Sequence, residues 1–283
     1  MNYPADPANS RPPRRKRREL PWWLLAVALL AVLFLWSIAA NRDYNIIFRA
    51  LVGGIFTTLY VTFFAFSLAL ILGLAVALAR TSNSMVLRQA ATFYTEIVRG
   101  IPVLVVLFYV AFVGAPALVD WVNWLISPMV EAGFVGPMHI RQFDFTWRAI
   151  IALMVCYSAF IAEIFRAGIE AVPRGQVEAA RSLGLSRWNT FRHVVAPQAV
   201  RTILPPLGND FVAMIKDSAL VSALGVQDIT QLGKIYSAST FKFFETYNVV
   251  AFLYLVMTIS LALLVRVIER RMARGYGEVE RLR

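Results

Sequence analysis

Long apolar runs separated by short polar segments make up most of this chain. An apolar run of about 20 residues is long enough to cross the hydrocarbon core of a bilayer as an α-helix. The pattern therefore predicts an all-α polytopic membrane protein. Its six transmembrane helices are predicted over residues 22–40, 51–79, 92–113, 147–165, 204–224 and 249–267.

The first run, WWLLAVALLAVLFLWSIAA, allows two interpretations. A basic segment precedes it and small residues close it, as in a secretory signal peptide. Its apolar part is longer than the ~7–15 residues usual for such a peptide. We therefore predict a disordered basic cytoplasmic tail over residues 1–19, then an extra N-terminal transmembrane span and a short outer loop over residues 20–48.

One face of the second span carries small residues at helical spacing. In lipid, small residues let two helix backbones approach closely, so this small-residue seam is expected to pack against another helix. The seam comprises Gly54, Thr58, Thr62, Ala65, Ala69 and Gly73.

Prolines and glycines interrupt the pattern around the third span. In TEIVRGIP, Gly100 and Pro102 are expected to break or kink the helix. Residues 114–146 carry more such residues, so we predict a loop there. Its middle, WVNWLISPMV, is apolar but too short to cross the membrane, and it suits an amphipathic or re-entrant piece at the interface.

Composition supports the membrane assignment. Of the 283 residues, 59% are hydrophobic and 16% charged, whereas soluble domains average about 45–50% apolar and about 25% charged. The net charge is +11. Basic residues cluster at both ends and in alternate connections, so the positive-inside rule predicts both termini in the cytoplasm. This orientation explains the basic excess better than nucleic-acid binding, because no DNA or RNA recognition motif is present.

Several kinds of chemistry are excluded by residue content. Cys156 is the single cysteine, which rules out an intrachain disulfide, and His139 and His193 are too far apart to give a metal-ligand spacing. The chain lacks a phosphate-binding G-x-x-x-x-G-K-[ST] loop. An intramembrane enzyme would need a nucleophile with a base, a metal cluster or paired acids in a span, and no such set is assembled. A secondary transporter often has two related halves, and no second copy of the motifs below occurs.

A polar, helix-prone stretch, EAARSLGLS, lies between the fourth and fifth spans; we call residues 178–186 the EAA segment. Pro173 ends the preceding span, and Gly184 is placed to end a short helix with a positive φ. Ser186 then fits the N-cap of a second short helix that Pro197 ends. The narrow helix–glycine–helix suits a groove on a partner, although an ordinary amphipathic connector resting on lipid headgroups has the same pattern.

Resemblance to a known family distinguishes these interpretations. The EAA segment, with YSAFIAEIFRAGIEAVPRGQ, VVAPQAVRTILPPLGNDF and YTEIVRGIPVLVVLF, resembles the permease subunits of ABC importers for polar amino acids, of the histidine and glutamine type. The resemblance covers about residues 53–271, with the motifs in the family's order. This chain departs from the family at Ala196, where leucine is common, and in KDSAL, where KDTSL is common.

The resemblance implies an architecture and a set of partners. It implies a five-helix importer core over residues 49–271 and a cytoplasmic tail over 272–283, in the inner membrane of a bacterium. A cytoplasmic ATPase that binds ATP and magnesium would receive the EAA segment as a coupling helix. An external amino-acid-binding protein would deliver substrate, and a second permease, identical or a sister, would complete the path. The chain itself would be no enzyme. The implied coupling residues are Glu178, Ala179, Ala180, Arg181, Ser182, Leu183, Gly184, Leu185, Ser186 and Pro197.

Ionisable residues inside spans are candidates for function. Glu163 and Arg166 share a helical face, either lining a path or forming an intrahelical pair that reaches the interface. Lys216 lies near the middle of the fifth span, and Asp217 points about 100° away from it, so Glu163 is its expected partner. Such a pair could complement the two charges of an amino acid or be purely structural. The candidate path residues are Glu163, Asn209, Lys216, Asp217 and Ser218.

Overall fold

The computed structural model describes residues 22–280, and its side-chain description covers Trp22 and residues 24–269. The predicted disordered tail over residues 1–19 lies outside the described residues. Within the described part the chain is helical and has no strands, so the all-α prediction is confirmed.

Twelve α-helices follow one another along the described chain. They are α1 (Trp22–Ala40), α2 (Arg42–Leu51), α3 (Gly54–Arg80), α4 (Met85–Gly100), α5 (Val103–Tyr109), α6 (Ala115–Glu131), α7 (Phe145–Glu170), α8 (Arg174–Ser182), α9 (Arg187–Thr190), α10 (Ala196–Asp217), α11 (Ile229–Thr240) and α12 (Phe243–Glu280). π-helical turns at Val110–Gly114 and Phe191–Val195 join α5 to α6 and α9 to α10, and a 3₁₀ turn, Ser218–Leu224, extends α10.

Four helical stretches of the described chain are long and apolar enough to cross a membrane, and a fifth, Leu24–Ala40, is apolar but shorter. The four are Arg42–Arg80, Val103–Glu131, Phe145–Glu170 and Phe243–Glu269. The first, second, fourth and sixth predicted spans thus correspond to α1, α3, α7 and α12. The short outer loop predicted before the second span is instead a helix, α2, which Asn41 caps by accepting a hydrogen bond from the Asp43 amide.

Around the third predicted span, the structure has the predicted helix break but lacks the first half of the loop predicted after it. The expected break is present, because α4 ends at Gly100 and Ile101 is extended (φ −101°, ψ 135°) ahead of Pro102. The predicted loop over residues 114–146 is wrong in its first half, where the helix continues from α5 to Glu131. Pro116 stands in the first turn of α6, where a missing N–H costs little, so it does not interrupt the helix.

The fifth predicted span begins too late in the sequence. Helix α10 starts at Ala196, carries Pro205 and Pro206 in its interior and passes into a 3₁₀ turn that ends at Gly225 (φ +80°). We predicted that Pro197 ends the helix that follows Ser186. It instead stands in the first turn of α10. A proline is tolerated in the first turn of a helix, because the N–H that it lacks would have no helical partner there. A proline in the sequence can therefore mark either the end of one helix or the start of the next.

The small-residue seam packs as predicted. Every member is buried, and α3 lies along α7 through it. A Cβ placed on Gly73 would lie 2.7 Å from Ile161 Cγ2, and one on Gly54 would lie 2.6 Å from the Ile229 nitrogen. The glycines therefore set how closely α3 approaches α7 and the start of α11.

The interior has two apolar clusters. The larger lies among α3, α5, α7 and α10, and the smaller among α1, α2, α11 and α12. The smaller cluster attaches the first span, whose Phe34 ring lies 4.6 Å from that of Phe252 on α12. The predicted tail over residues 272–283 begins inside α12, which is helical to Glu280.

Candidate coupling segment and translocation path

The EAA segment forms the predicted helix–glycine–helix. Helix α8 ends at Ser182, and Gly184 has a φ of +82°. The Gly184 and Leu185 amides then donate to the Arg181 and Ala180 carbonyls, at 2.9 and 3.2 Å. This pattern satisfies the last carbonyls of α8 and turns the chain sharply. The Ser186 hydroxyl accepts from the Asn189 amide at 3.3 Å and so caps α9 as predicted.

The EAA segment presents one side to the rest of the chain and the other to solvent. Ala180 is buried, and Val177 packs on the larger apolar cluster. The remaining residues from Glu178 to Gly184 are exposed. Leu183 is 83% exposed, and Trp188, just beyond the segment, is 65% exposed. Large apolar side chains on a polar surface mark a site for a partner.

Trp188 was missed by the sequence reasoning. Its signal in the sequence is an isolated tryptophan inside a polar, basic stretch just after the EAA segment. In the structure its ring stacks on Phe191, with centroids 6.1 Å apart. The tryptophan therefore extends the apolar part of the exposed surface beyond Leu183.

The base of the EAA segment is fixed to the start of α10. The Gln198 amide nitrogen donates to the Gln176 side-chain oxygen at 2.6 Å and to the Val194 carbonyl at 2.8 Å. Val172, in the short link between α7 and α8, is buried in the larger apolar cluster. These contacts hold the start of α8 beside the end of α7 and the start of α10.

The expected pair between Lys216 and Glu163 is absent from the structure, and that prediction was wrong. Glu163 instead accepts from Arg80 of α3 at 2.6 Å and from Arg166 of its own helix. Lys216 is exposed, and none of the described residues forms an ion pair with it. Sequence reasoning overlooked Arg80 because the predicted second span ended at residue 79 and Arg80 was assigned to the polar loop after it.

The other candidate path residues divide into exposed and buried groups. Asn209 and Lys216 are exposed and lie two turns apart on one face of α10. Asp217 is half-buried and accepts a 2.8 Å hydrogen bond from the Tyr157 hydroxyl of α7. Ser218 is fully buried, and its hydroxyl donates to the Ile215 carbonyl at 2.7 Å.

A second carboxyl group, which the candidate set did not include, lies on the same helix. Asp210 is half-buried two turns before Asp217, so both face the same side of α10. Its Oδ2 is buried, and no described residue donates a hydrogen bond to it. A buried acceptor without a donor is costly in a protein interior, which makes this position suited to a ligand that carries a donor.

A cavity of about 560 Å³ lies among α3, α10 and α12, and neither Asp210 nor Asp217 lines it. Its walls are apolar side chains such as Phe66, Leu204 and Phe211, and its charged residues, Arg201 and Glu269, stand at the end where α10 begins. The walls offer no set of polar groups to orient an amino acid. The cavity is therefore not part of the candidate path.

Comparison with known proteins gives concordant matches. The family model described as "Binding-protein-dependent transport system inner membrane component" matches residues 69–274. The glutamine transport system permease protein GlnP of Escherichia coli K12 is 33% identical over 233 residues, 81% of this chain and 97% of the relative. The probable amino-acid permease protein YxeN of Bacillus subtilis 168 is 33% identical over 229 residues, 81% of this chain and 94% of the relative.

Solved structures give the same architecture. A chain of an amino acid ABC transporter crystallised with histidines superposes with a TM-score of 0.67 at 35% identity, covering 83% of this chain and 98% of that one. A chain of the MetNI methionine ABC transporter in an inward-facing conformation gives a TM-score of 0.59 at 19% identity, covering 79% and 96%, and shows the fold alone.

Proposed function

Because this chain belongs to the family of binding-protein-dependent transport system inner membrane components, we propose that it is the transmembrane permease subunit of an ATP-driven importer for a polar amino acid. The names of the relatives, which include a glutamine permease and an amino-acid permease, support this class of substrate. The observation that carries the proposal is the EAA segment, an exposed helix–glycine–helix on a fixed base.

The EAA segment would dock into a groove of a cytoplasmic ATPase subunit. Its exposed Leu183 and Trp188 would fill apolar pockets there, while Glu178 and Arg181 would make polar contacts at the rim. The ATPase would bind ATP and magnesium, so this chain performs no catalysis. Closure of two ATPase subunits would draw two such segments together and tilt the helices attached to them.

We place both termini in the cytoplasm, with the EAA segment on the same side, because basic residues concentrate in those segments. An external binding protein would deliver the amino acid to the opposite face. Two permeases, either identical or sisters, would form the path between them. The extra N-terminal span α1 lies outside the region of the family model, which starts at residue 69.

The path would run along two adjacent faces of α10, one carrying Asn209 and Lys216 and the other carrying the two half-buried carboxyl groups. An amino acid has an ammonium and a carboxylate group. Asp210 offers a buried acceptor to the ammonium group, while Lys216, which forms no ion pair with the described residues, offers a cation to the carboxylate. Glu163 is left out of this path, because Arg80 and Arg166 already neutralise it.

The proposal is tested with the permease, its ATPase and its binding protein reconstituted in proteoliposomes. Gly184→Val forces a β-branched residue into a left-handed conformation, at a cost of about 1–2 kcal/mol, and should abolish both amino-acid uptake and the stimulation of ATP hydrolysis. Gly184→Asn, which tolerates positive φ, should retain most of both.

Gly175→Ala is the matched control, since a Cβ there meets no atom within 4 Å and its φ is ordinary. It should behave as wild type. Uptake that follows an ion gradient in the absence of ATPase would contradict the proposal, as would full coupling in Gly184→Val.

A further inference from the structure

Four charged side chains form a continuous network where α3 ends and α7 approaches the EAA segment. Arg80 donates to Glu163 at 2.6 Å, Arg166 donates to the same carboxylate, and Arg166 also donates to Glu170 at 2.5 Å. The network therefore joins the last residue of α3 to three positions on α7. Glu163 is its centre, because it alone contacts both arginines.

Burial makes the link between the helices stronger than a surface ion pair. The Arg80 side chain is 14% exposed and that of Glu163 is 29% exposed, whereas Glu170 is 56% exposed. Attraction between charges increases as water is excluded, so the contact between Arg80 and Glu163 contributes more than that of Arg166 with Glu170. Of the three contacts in this network, the one between Arg80 and Glu163 joins the two helices, and the other two lie within α7.

The remainder of the α3–α7 interface is apolar. It comprises the small-residue seam, where Gly73 lies against Ile161, the buried Val61, and the rings of Phe64 and Trp147, whose centroids are 6.0 Å apart. Small residues at such an interface let the two backbones approach closely. The contact between Arg80 and Glu163 adds a directional, charged restraint to this packing.

The position of the network relates it to force transmission. Glu163 lies seven residues before the end of α7, about 10 Å along the helix, and only three residues separate α7 from α8. Gln176 of α8 is hydrogen-bonded to Gln198 of α10, and Arg80 of α3 reaches the same end of α7 through its contact with Glu163.

We propose that Glu163 is a positioning residue that makes α3 move with α7 when the ATPase displaces the EAA segment. This inference rests on the proposed coupling role of that segment. With Glu163 neutralised, α3 is held to α7 by apolar packing without this charged contact, and it follows α7 less completely. ATP hydrolysis continues, but fewer amino-acid molecules cross for each ATP consumed.

The test is a double-mutant cycle on the reconstituted transporter, with Arg80→Gln, Glu163→Gln and their combination. The measured quantity is amino acid imported per ATP hydrolysed. Each single variant should lower this ratio at least threefold, and the double variant should be no worse than either single one. Arg80→Lys, which keeps the charge, should restore most of the ratio. Glu170→Gln is the control within the network and should match wild type.

A second measurement separates transmission from general weakening of the fold. In a Cys156→Ala background, spin labels at Thr81 and at the exposed Arg174 report the distance between the end of α3 and the start of α8, at the base of the EAA segment. That distance should stay constant between the resting and the nucleotide-trapped states, and should change by several ångströms in Glu163→Gln.

The outcomes distinguish this inference from the proposed function. A wild-type ratio in Glu163→Gln, or effects of the two single variants that multiply in the double variant, would overturn the role of Glu163 even if Gly184→Val is uncoupled. A fully coupled Gly184→Val would instead remove the premise.

Discussion

Asp228 shows how a single buried carboxyl group can organise one end of a helix. It is fully buried at the N-cap of α11, where Oδ1 accepts from the Gln231 amide at 2.8 Å and Oδ2 accepts from the Tyr254 hydroxyl at 2.9 Å. Burial raises the pKa of the Asp228 carboxyl above its ordinary value, and the hydrogen bonds only partly offset this. The residue joins α11 to α12.

Asp228→Ala should destabilise the protein by about 1–2 kcal/mol through loss of the cap alone. Asp228→Asn keeps an oxygen for the cap and should cost much less. Because the pKa of Asp228 is raised in the folded protein, the folded protein holds a proton that the unfolded chain releases between pH ~4 and the raised pKa. Wild type therefore loses stability as the pH rises through this interval. The stability of Asp228→Asn relative to wild type should therefore improve over that interval, as measured by thermal unfolding in detergent. A relative stability that falls over the same interval would contradict this sign.

The hydrogen bond from the Tyr157 hydroxyl to Asp217 allows a test of the proposed path. Tyr157→Phe removes its hydrogen bond to Asp217 and leaves the packing of the ring unchanged. The loss of such a bond amounts to about 1 kcal/mol, or about fivefold. We expect the apparent KM for uptake to change by about this factor, with the amount of inserted protein unchanged. Val155→Ala on the same helix, away from Asp217, is the control and should leave KM unaltered.

At the scale of elements, the close approach of α3 and α7 depends on Gly73. A side chain there would collide with Ile161, so Gly73→Val should destabilise the protein by about 1–3 kcal/mol. Thermal unfolding in detergent measures the effect. Gly53→Ala, with no atom within 4 Å of the added Cβ, is the matched control. Ile161→Ala should partly rescue Gly73→Ala; if it fails to do so, the contact is not the cause.

The segment between α6 and α7 is held by the buried side chain of Arg148. Its guanidinium donates to the carbonyls of Phe143 and Ile140, both at 2.7 Å, and to that of Ala111 in the π-helical turn at 3.4 Å. Its charge is thus satisfied by backbone dipoles, and it also stacks on Phe145, 4.5 Å from the ring centroid. One side chain therefore joins the end of α5 to the segment that precedes α7.

Arg148→Gln should release that segment while leaving the helices in place. Trypsin cleavage after the exposed Arg141 should then become about tenfold faster, since each lost hydrogen bond to a charged donor contributes about 1.5–3 kcal/mol. Arg99→Gln is the control, because that arginine is exposed and stacks on Phe160 at 5.7 Å. Equal cleavage rates in both variants would show that Arg148 does not hold the segment.

The sequence predicted helices well where hydrophobic periodicity was long, and poorly where proline had to be interpreted. The break at Gly100 and Pro102 was predicted correctly, yet Pro128 and Pro205 lie inside helices. A proline interrupts a helix only if the carbonyl it deprives finds no other partner, which depends on neighbouring helices. The seam followed from spacing alone, whereas the partner of Glu163 depended on which helices are adjacent.

Over the whole described chain, two apolar clusters hold different sets of helices together. The larger apolar cluster joins α3, α7 and α10, which carry the candidate path and lead to the EAA segment. The smaller cluster holds α1, α2 and α12 together with α11, and a 2.7 Å ion pair between Lys242 and Asp43 joins α2 to the start of α12. Composition foretold a membrane bundle, but not this division, because it depends on contacts between distant segments.

The uncovered Leu183 and Trp188 have a consequence for how the cell must produce this protein. A permease synthesised in excess of its ATPase would display both side chains to the aqueous phase, where they would recruit chaperones and proteases or cause self-association. The amount of permease in the membrane should therefore depend on the ratio in which permease and ATPase are synthesised, and not on the amount of permease mRNA alone. Co-expression with the ATPase would protect the chain by covering about two side chains, well before any nucleotide is hydrolysed.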